Sequence, residues 1–235
     1  MSLAARFMGI ITAPKATYEN VVAAPRPFGI LLVCALLIGI GSTIPQLTEQ
    51  ARVQGLDMQL RAIERFGGTV TPEMQQQFEK QSRNIPMKAV WGVVGPLIIF
   101  PILALLLTAV FWAAFNAILG GTASFKQVLA VTAHSYVITA IGSLASAPIL
   151  FYKFKMVAGG PFNLGALVPM LDPDAGLTRF LSAISIFSLW AWFNVGIGLS
   201  VLYKRNTRNV GIVMIAICLL FAFAFSLLGG IFRGN

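Results

Sequence analysis

The chain has 235 residues, 57% of them hydrophobic and 11% charged, with a mean hydropathy of +0.81. A water-soluble domain cannot hide that much apolar surface, so the composition defines a membrane protein. The net charge of +9 does not mark a nucleic-acid binder, because the 17 Lys and Arg residues are scattered over loops with no basic face and no aromatic interleaving.

Apolar runs of about 20 residues, enough to cross a hydrocarbon layer of about 30 Å, recur along the chain, and nearly all charges fall between them. The pattern predicts an all-α, polytopic bundle of five spans in one domain, residues 28–235, behind an amino-terminal segment, residues 1–27. That segment reads as two short amphipathic helices lying in the membrane interface. In the first, Leu3, Phe7, Ile10 and Ile11 share a face and leave Arg6 on another. In the second, Pro14 starts the first turn, Tyr18, Val21 and Val22 share a face, and Lys15 and Glu19 are spaced to pair.

The first span covers about residues 28–45, with Gly39, Gly41 and Thr43 small enough for close helix contact. Residues 46–85 then turn polar and predict an extramembrane helical hairpin. Its first helix carries an Asp57–Arg61 pair, and its second is capped by Thr71 with Pro72 in the first position. Five of the eight acidic residues lie here, Glu49, Asp57, Glu64, Glu73 and Glu79. Interspersed with basic residues, they read as a solvated surface, with a partner-docking platform as the sharper reading.

The second span, about 87–119, is interrupted by Gly95, Pro96 and Pro101, which predict a kink because proline removes a backbone donor and crowds the preceding turn. A Gly120-Gly121 turn, with Ser124 or Thr122 as helix cap, leads to the third span, about 126–150. This span holds the chain's only histidine, His134, followed by Ser135 and Tyr136 at bilayer depth. Gly142 and Ser146 stand at a small-xxx-small spacing, and Pro148 marks the far end.

Residues 153–177 form a Gly/Pro-broken loop rich in Phe, Leu, Val and Met, expected to lie on the membrane or plug the bundle. Its Asp172 and Asp174 begin like a calcium loop but lack the remaining ligand positions, so a turn before a helix is the reading. The fourth span, about 178–202, carries Asn194 with Gly196, Gly198 and Ser200; the fifth, about 210–232, repeats small residues at Ala222, Ser226 and Gly230. Cys34 and Cys218 sit in apolar runs as small core residues. The short basic loop Lys204–Arg208 falls on the side of the amino terminus, which favours a cytoplasmic amino terminus and a carboxyl terminus outside.

Three segments carry a family resemblance: ITAPKATYENV before the first span, GGTASFKQVLAVTAHSYV at the third, and IFSLWAWFNVGIGLSVLYK in the fourth. With them the chain resembles the Yip1-domain family of five-span membrane proteins. The short amino-terminal arm and the missing tyrosine-glycine-proline element resemble prokaryotic members, which implies a bacterial inner membrane. The resemblance implies a non-enzymatic protein that organises membrane or partner complexes, with the lipid bilayer, membrane proteins or a second copy of the chain as partners.

The alternative is a transporter or channel for a small solute, ion or lipid, in which His134, Ser135, Tyr136 and Asn194 meet in the bundle interior. Catalysis has no inventory to draw on. The spans contain no Asp or Glu, and no metal-ligand spacing or HExxH, P-loop or GxSxG motif occurs, so neither a metal nor another cofactor is expected.

Overall fold

A computed structural model describes residues 1–65, 67–118, 120–152, 160–172 and 175–231. The described residues form helices joined by short turns, with one isolated antiparallel bridge, Asn163 to Ser185. Two short helices open the chain, α1 (Leu3–Thr12) and α2 (Pro14–Ala23). Ser2 caps α1 by accepting from the Ala5 amide at 3.2 Å, and Pro14 begins α2, where no amide donor is needed.

Helix α3 (Pro27–Gln46) then crosses, and α4 (Glu49–Arg65) and α5 (Pro72–Ser82) make the polar hairpin. Thr71 caps α5 by accepting from the Met74 amide. The long α6 (Ile85–Trp112) is capped by Asn84 and runs on into a π-helical turn, Ala113–Ile118. After the Gly-Gly turn, Ser124 and Gln127 form a reciprocal capping box at the start of α7 (Phe125–Tyr152). Beyond it come a 3₁₀ turn (Leu164–Leu167), α8 (Gly176–Ser182), α9 (Ile186–Leu202), started by a Ser185–Ser188 capping box, and α10 (Thr207–Ile231).

Close approaches fix how the long helices run. A Cβ on Gly39 would sit 3.1 Å from the Val93 backbone, and Gly92 faces Thr43, so α3 and α6 are antiparallel. Phe100 meets Tyr136 edge-on at 5.3 Å and Trp112 meets Phe125 at 6.4 Å, so α6 and α7 are antiparallel as well. Gly142 abuts Phe187 and Gly198 abuts Val131, which makes α9 antiparallel to α7. A Cβ on Gly196 would come within 2.9 Å of the Gly211 Cα across the α9–α10 hairpin. Between membrane helices of equal hydrophobicity to lipid, such small-residue contacts supply the packing that hydrophobic burial cannot.

Helix α7 lies at the centre, touching α3, α6 and α9, while α6 and α10 flank the bundle. Only 11% of the most apolar window of α6 is buried. Its exposed Val90, Ile98, Ile102, Leu106 and Val110 form a lipid-facing surface. Trp91 and Trp112 are 21 residues apart in the sequence. At about 1.5 Å per residue they stand roughly 31 Å apart, the thickness of the hydrocarbon core, in the positions of interfacial aromatic belts.

Four helices, α3, α6 with its π-turn, α7 and α10, are long and apolar enough to cross a membrane; α9, with 17 residues, is apolar but shorter.

The structure refines several expectations and corrects others. The two short amino-terminal helices form as expected. They pack on α7 and α9, burying Ile10, Tyr18 and Val21 completely, and Arg6 is only 4% exposed. Lys15 and Glu19 form no ion pair, whereas Asp57 and Arg61 do, at 3.0 Å. Helix α6 runs through Gly95, Pro96 and Pro101, the positions where a kink is expected, without a break in the helix, and a π-turn follows at its end. Pro148 does not end α7, which continues to Tyr152. Residues 153–159 and 173–174 lie outside the described residues, while Phe162 and Leu164 of the predicted loop pack beside the start of α9, with the Phe162 ring on Phe187 at 5.2 Å and the Leu164 amide donating to the Ile184 carbonyl at 2.9 Å. Asp174 also lies outside the described residues, while the Asp172 carbonyl closes a turn onto the Ala175 amide.

Candidate functional site

His134 sits on the central helix and is 1% exposed. Its Nδ1 donates to the Ala130 carbonyl one turn earlier, at 2.7 Å, so the nitrogen is spent within its own helix. The Ser135 hydroxyl likewise donates to the Thr132 carbonyl at 2.7 Å. Consecutive helical residues point about 100° apart, which separates the triplet. Tyr136 turns to Phe100 on α6, while Ser135 lies level with Asn194, because the Gly142–Phe187 and Val131–Gly198 contacts fix the α7–α9 register. The four predicted residues are therefore near one another in depth, with the Tyr136 ring turned toward α6.

Asn194 is the exception to local satisfaction. It is fully buried, and neither its amide nitrogen nor its oxygen has a partner. One turn further along α9, Gly198 leaves room for the Tyr18 ring, whose hydroxyl is also buried and unpartnered. Burying such groups unpaired costs a few kcal/mol in general, so these two positions mark polarity the bundle has retained against its own packing.

The predicted packing residues have distinct contacts. Gly142 accommodates Phe187, Ser146 donates to the Gly142 carbonyl at 2.7 Å, and Gly196 meets Gly211. The Ser200 and Thr207 hydroxyls meet at 2.9 Å across the α9–α10 turn, and Ser226 donates to the Gly176 carbonyl at 3.1 Å, tying α10 to α8. Gly230 lies outside the residues whose packing is described.

Three features escaped the sequence pattern. The Arg6 guanidinium donates to the Asn20 side chain at 3.1 Å and to the Ala24 carbonyl at 2.9 Å, so it caps the carboxyl end of α2 from inside the fold. Burial and the neighbouring Arg26 charge hold its pKa below the usual arginine range. The signal was present: Arg6 is three residues after Leu3 and four before Ile10, hence on their stripe.

The second feature is the fixing of the Gly120-Gly121 turn. Trp112 Nε1 and Asn116 Nδ2 both donate to the Ala123 carbonyl, at 3.0 and 2.7 Å, and the Gly121 amide donates to the Phe115 carbonyl at 2.9 Å. Gly120 has φ +68°, and a Cβ on Gly121 would lie 2.8 Å from the Phe115 oxygen and strike the Tyr203 ring. Between this turn and the Tyr203–Arg205 loop opens a cleft of about 510 Å³.

The third is the base of the hairpin. Arg52 donates to Glu49 at 2.8 Å and, more weakly, to Ser82 on α5 at 3.4 Å, beside a cleft of about 430 Å³ lined by Gln46, Gln59, Gln81 and Lys88. The Arg52 hydrogen bond holds the Glu49 carboxyl below its ordinary pKa. Among the described residues, no three His, Cys, Asp or Glu side chains gather where a metal ion could sit.

These features define an integral membrane protein: an all-helical bundle whose central helix is enclosed by small-residue contacts, with helical caps outside the apolar layer. The Yip1 domain model matches residues 8–228, and the chain belongs to that family. It is similar to "Membrane protein YknW" of Bacillus subtilis (strain 168), with 23% identity over 202 residues, covering 81% of this chain and 75% of the relative. No solved structure matches.

Proposed function

We propose that this Yip1-family protein is a non-enzymatic, five-span organiser of membrane or partner complexes in the bacterial inner membrane. The observation that carries this reading is the dispersal of the polar side chains. His134 and Ser135 each bond a carbonyl of their own helix and the Tyr136 ring packs on Phe100, which favours packing roles for them over a shared pathway. The hairpin α4–α5 supports it as well, standing clear of the bundle with Val53, Met58, Gln59 and Gln76 exposed. Helix α9, paired with α7 and α10, completes the fifth crossing, by packing rather than by length.

Photo-crosslinkers placed at Gln59 and Gln76 in intact cells test the proposal. The expected outcome is a defined adduct with a membrane protein or a second copy of the chain, lost when residues 49–82 are replaced by a short linker. Absence of any adduct from either position counts against it.

One observation favours transport as a second reading: the fully buried, unpartnered amide of Asn194. A permeating solute, ion or lipid headgroup would satisfy it transiently. Flux or lipid scrambling in proteoliposomes separates the readings. Transport requires a loss with Asn194→Leu and a pH-dependent change with His134→Ala, whereas an organiser shows neither.

A further inference from the structure

We infer that the cleft beside the Gly120-Gly121 turn binds the phosphate group of an anionic lipid at the membrane surface. Its walls are Phe115, the Gly120–Ala123 backbone, Gln127, Tyr203, Lys204 and Arg205, and no carboxylate lines it.

Four observations point to phosphate on a lipid. First, two consecutive cationic residues face a cleft of about 510 Å³, large enough for a headgroup. Lys204 is held in the left-handed region, φ +51°, by the bond from the Arg205 amide to the Ser200 carbonyl at 2.9 Å, so its position is set by the backbone. Second, the Tyr203 side chain forms part of the cleft wall beside the two cations. Its ring is fixed by stacking on Phe115 at 4.8 Å.

Third, the opposite wall is organised in advance. The π-turn brings Phe115 and Asn116 to the turn, where three hydrogen bonds hold Gly121 and Ala123. A site built this way loses little ordering entropy on binding. Fourth, the cleft opens where α6 ends and α7 begins, beside the exposed apolar side chains of Trp112, Ile118 and Phe125. A headgroup in the cleft would lay its acyl chains along that surface, which a free phosphate cannot use. Basic residues at such a boundary attract anionic lipid by about 1 kcal/mol each, so the Lys204–Arg205 pair alone should give roughly a tenfold or greater preference.

The test uses the full chain in phosphatidylcholine nanodiscs containing phosphatidylglycerol, with retained lipid counted by native mass spectrometry. Lys204→Asn/Arg205→Gln removes both charges, and asparagine tolerates the left-handed backbone. Lys15→Gln/Arg26→Gln removes the same charge from the same membrane face outside the cleft. Lys204→Arg/Arg205→Lys restores charge and guards against misfolding of the first variant.

The expected result is at least a tenfold fall in phosphatidylglycerol retention for the neutral cleft variant, with retention kept in the other two. Inorganic phosphate in the same assay distinguishes the source. Failure to displace the lipid at equal concentration supports lipid, while displacement at equal concentration overturns the lipid assignment in favour of a soluble phosphate compound. Unchanged retention in the neutral cleft variant, or an equal fall in the Lys15/Arg26 variant, overturns the site itself.

Discussion

Arg6 shows how one side chain converts a surface helix into part of the fold. An arginine among apolar residues is costly to bury unless its donors are spent, and here they reach the Asn20 side chain and the Ala24 carbonyl just past α2. Arg6→Ala leaves those acceptors unpaired and should cost about 1–3 kcal/mol, read as a lower thermal midpoint of the detergent-solubilised protein. Asn194 predicts the opposite sign. Replacing an unpartnered buried amide by an apolar group of similar volume removes a desolvation penalty without opening a cavity, so Asn194→Leu should leave stability unchanged or raise it. A fall of more than about 1 kcal/mol would mean that the amide is satisfied in the membrane, by water or by solute. Residue identity made His134 and Asn194 conspicuous in the sequence, but not their partners. A histidine at bilayer depth reads the same whether its nitrogen faces a pathway or, as here, the carbonyl four residues back. Arg6 was misread for a related reason: apolar periodicity assigns a charge to water unless the cap it will satisfy is known.

Among the elements, those that obey local rules were the legible ones. Thr71-Pro72 is a helix start written in neighbouring residues and its cap forms, and of the two candidate caps Ser124 and Thr122 the structure uses Ser124, with Gln127 completing the box. The π-turn at Ala113–Ile118 was not legible, because its cause is tertiary: Trp112 and Asn116 must reach a carbonyl beyond the Gly-Gly turn. The two prolines of α6 predict a kink, and the helix runs on through both of them.

The hairpin tests how an element is held by its base. Arg52 links Glu49 to Ser82, and few other contacts join α4 to α5. Arg52→Ala should speed amide hydrogen exchange across Glu49–Arg65 and Pro72–Ser82, with exchange in α7 unchanged. Because the folded-state pKa of Glu49 is depressed, its contribution is present above the unfolded carboxyl value, about 4.3, and is lost as pH falls through the folded value. Hairpin protection, with exchange corrected for its intrinsic pH dependence, should therefore fall in the wild type only at acidic pH. Glu49→Gln, which lacks that titration, should not show this step.

At the scale of the whole molecule, the proposed five crossings would assign each loop to a membrane face. The amino-terminal helices, the α6–α7 turn and the α9–α10 turn share one face. That face holds Arg6, Lys15, Arg26, Lys126, Lys204, Arg205 and Arg208, with Glu19 as its acidic residue, while the hairpin face mixes both signs. Positive charge in short loops is retained on the cytoplasmic side, so the hairpin should stand outside. Both native cysteines are buried, which leaves introduced ones as the reactive thiols. With Gln59→Cys, a membrane-impermeant maleimide should label intact cells. With Lys15→Cys, labelling should require permeabilisation. The reverse pattern would put the phosphate cleft on the outer leaflet and the hairpin in the cytoplasm, and would make the cationic face an exception to the charge rule. Labelling of both from outside would break the crossing order itself, since Lys15 and Gln59 lie on opposite sides of a single span, α3.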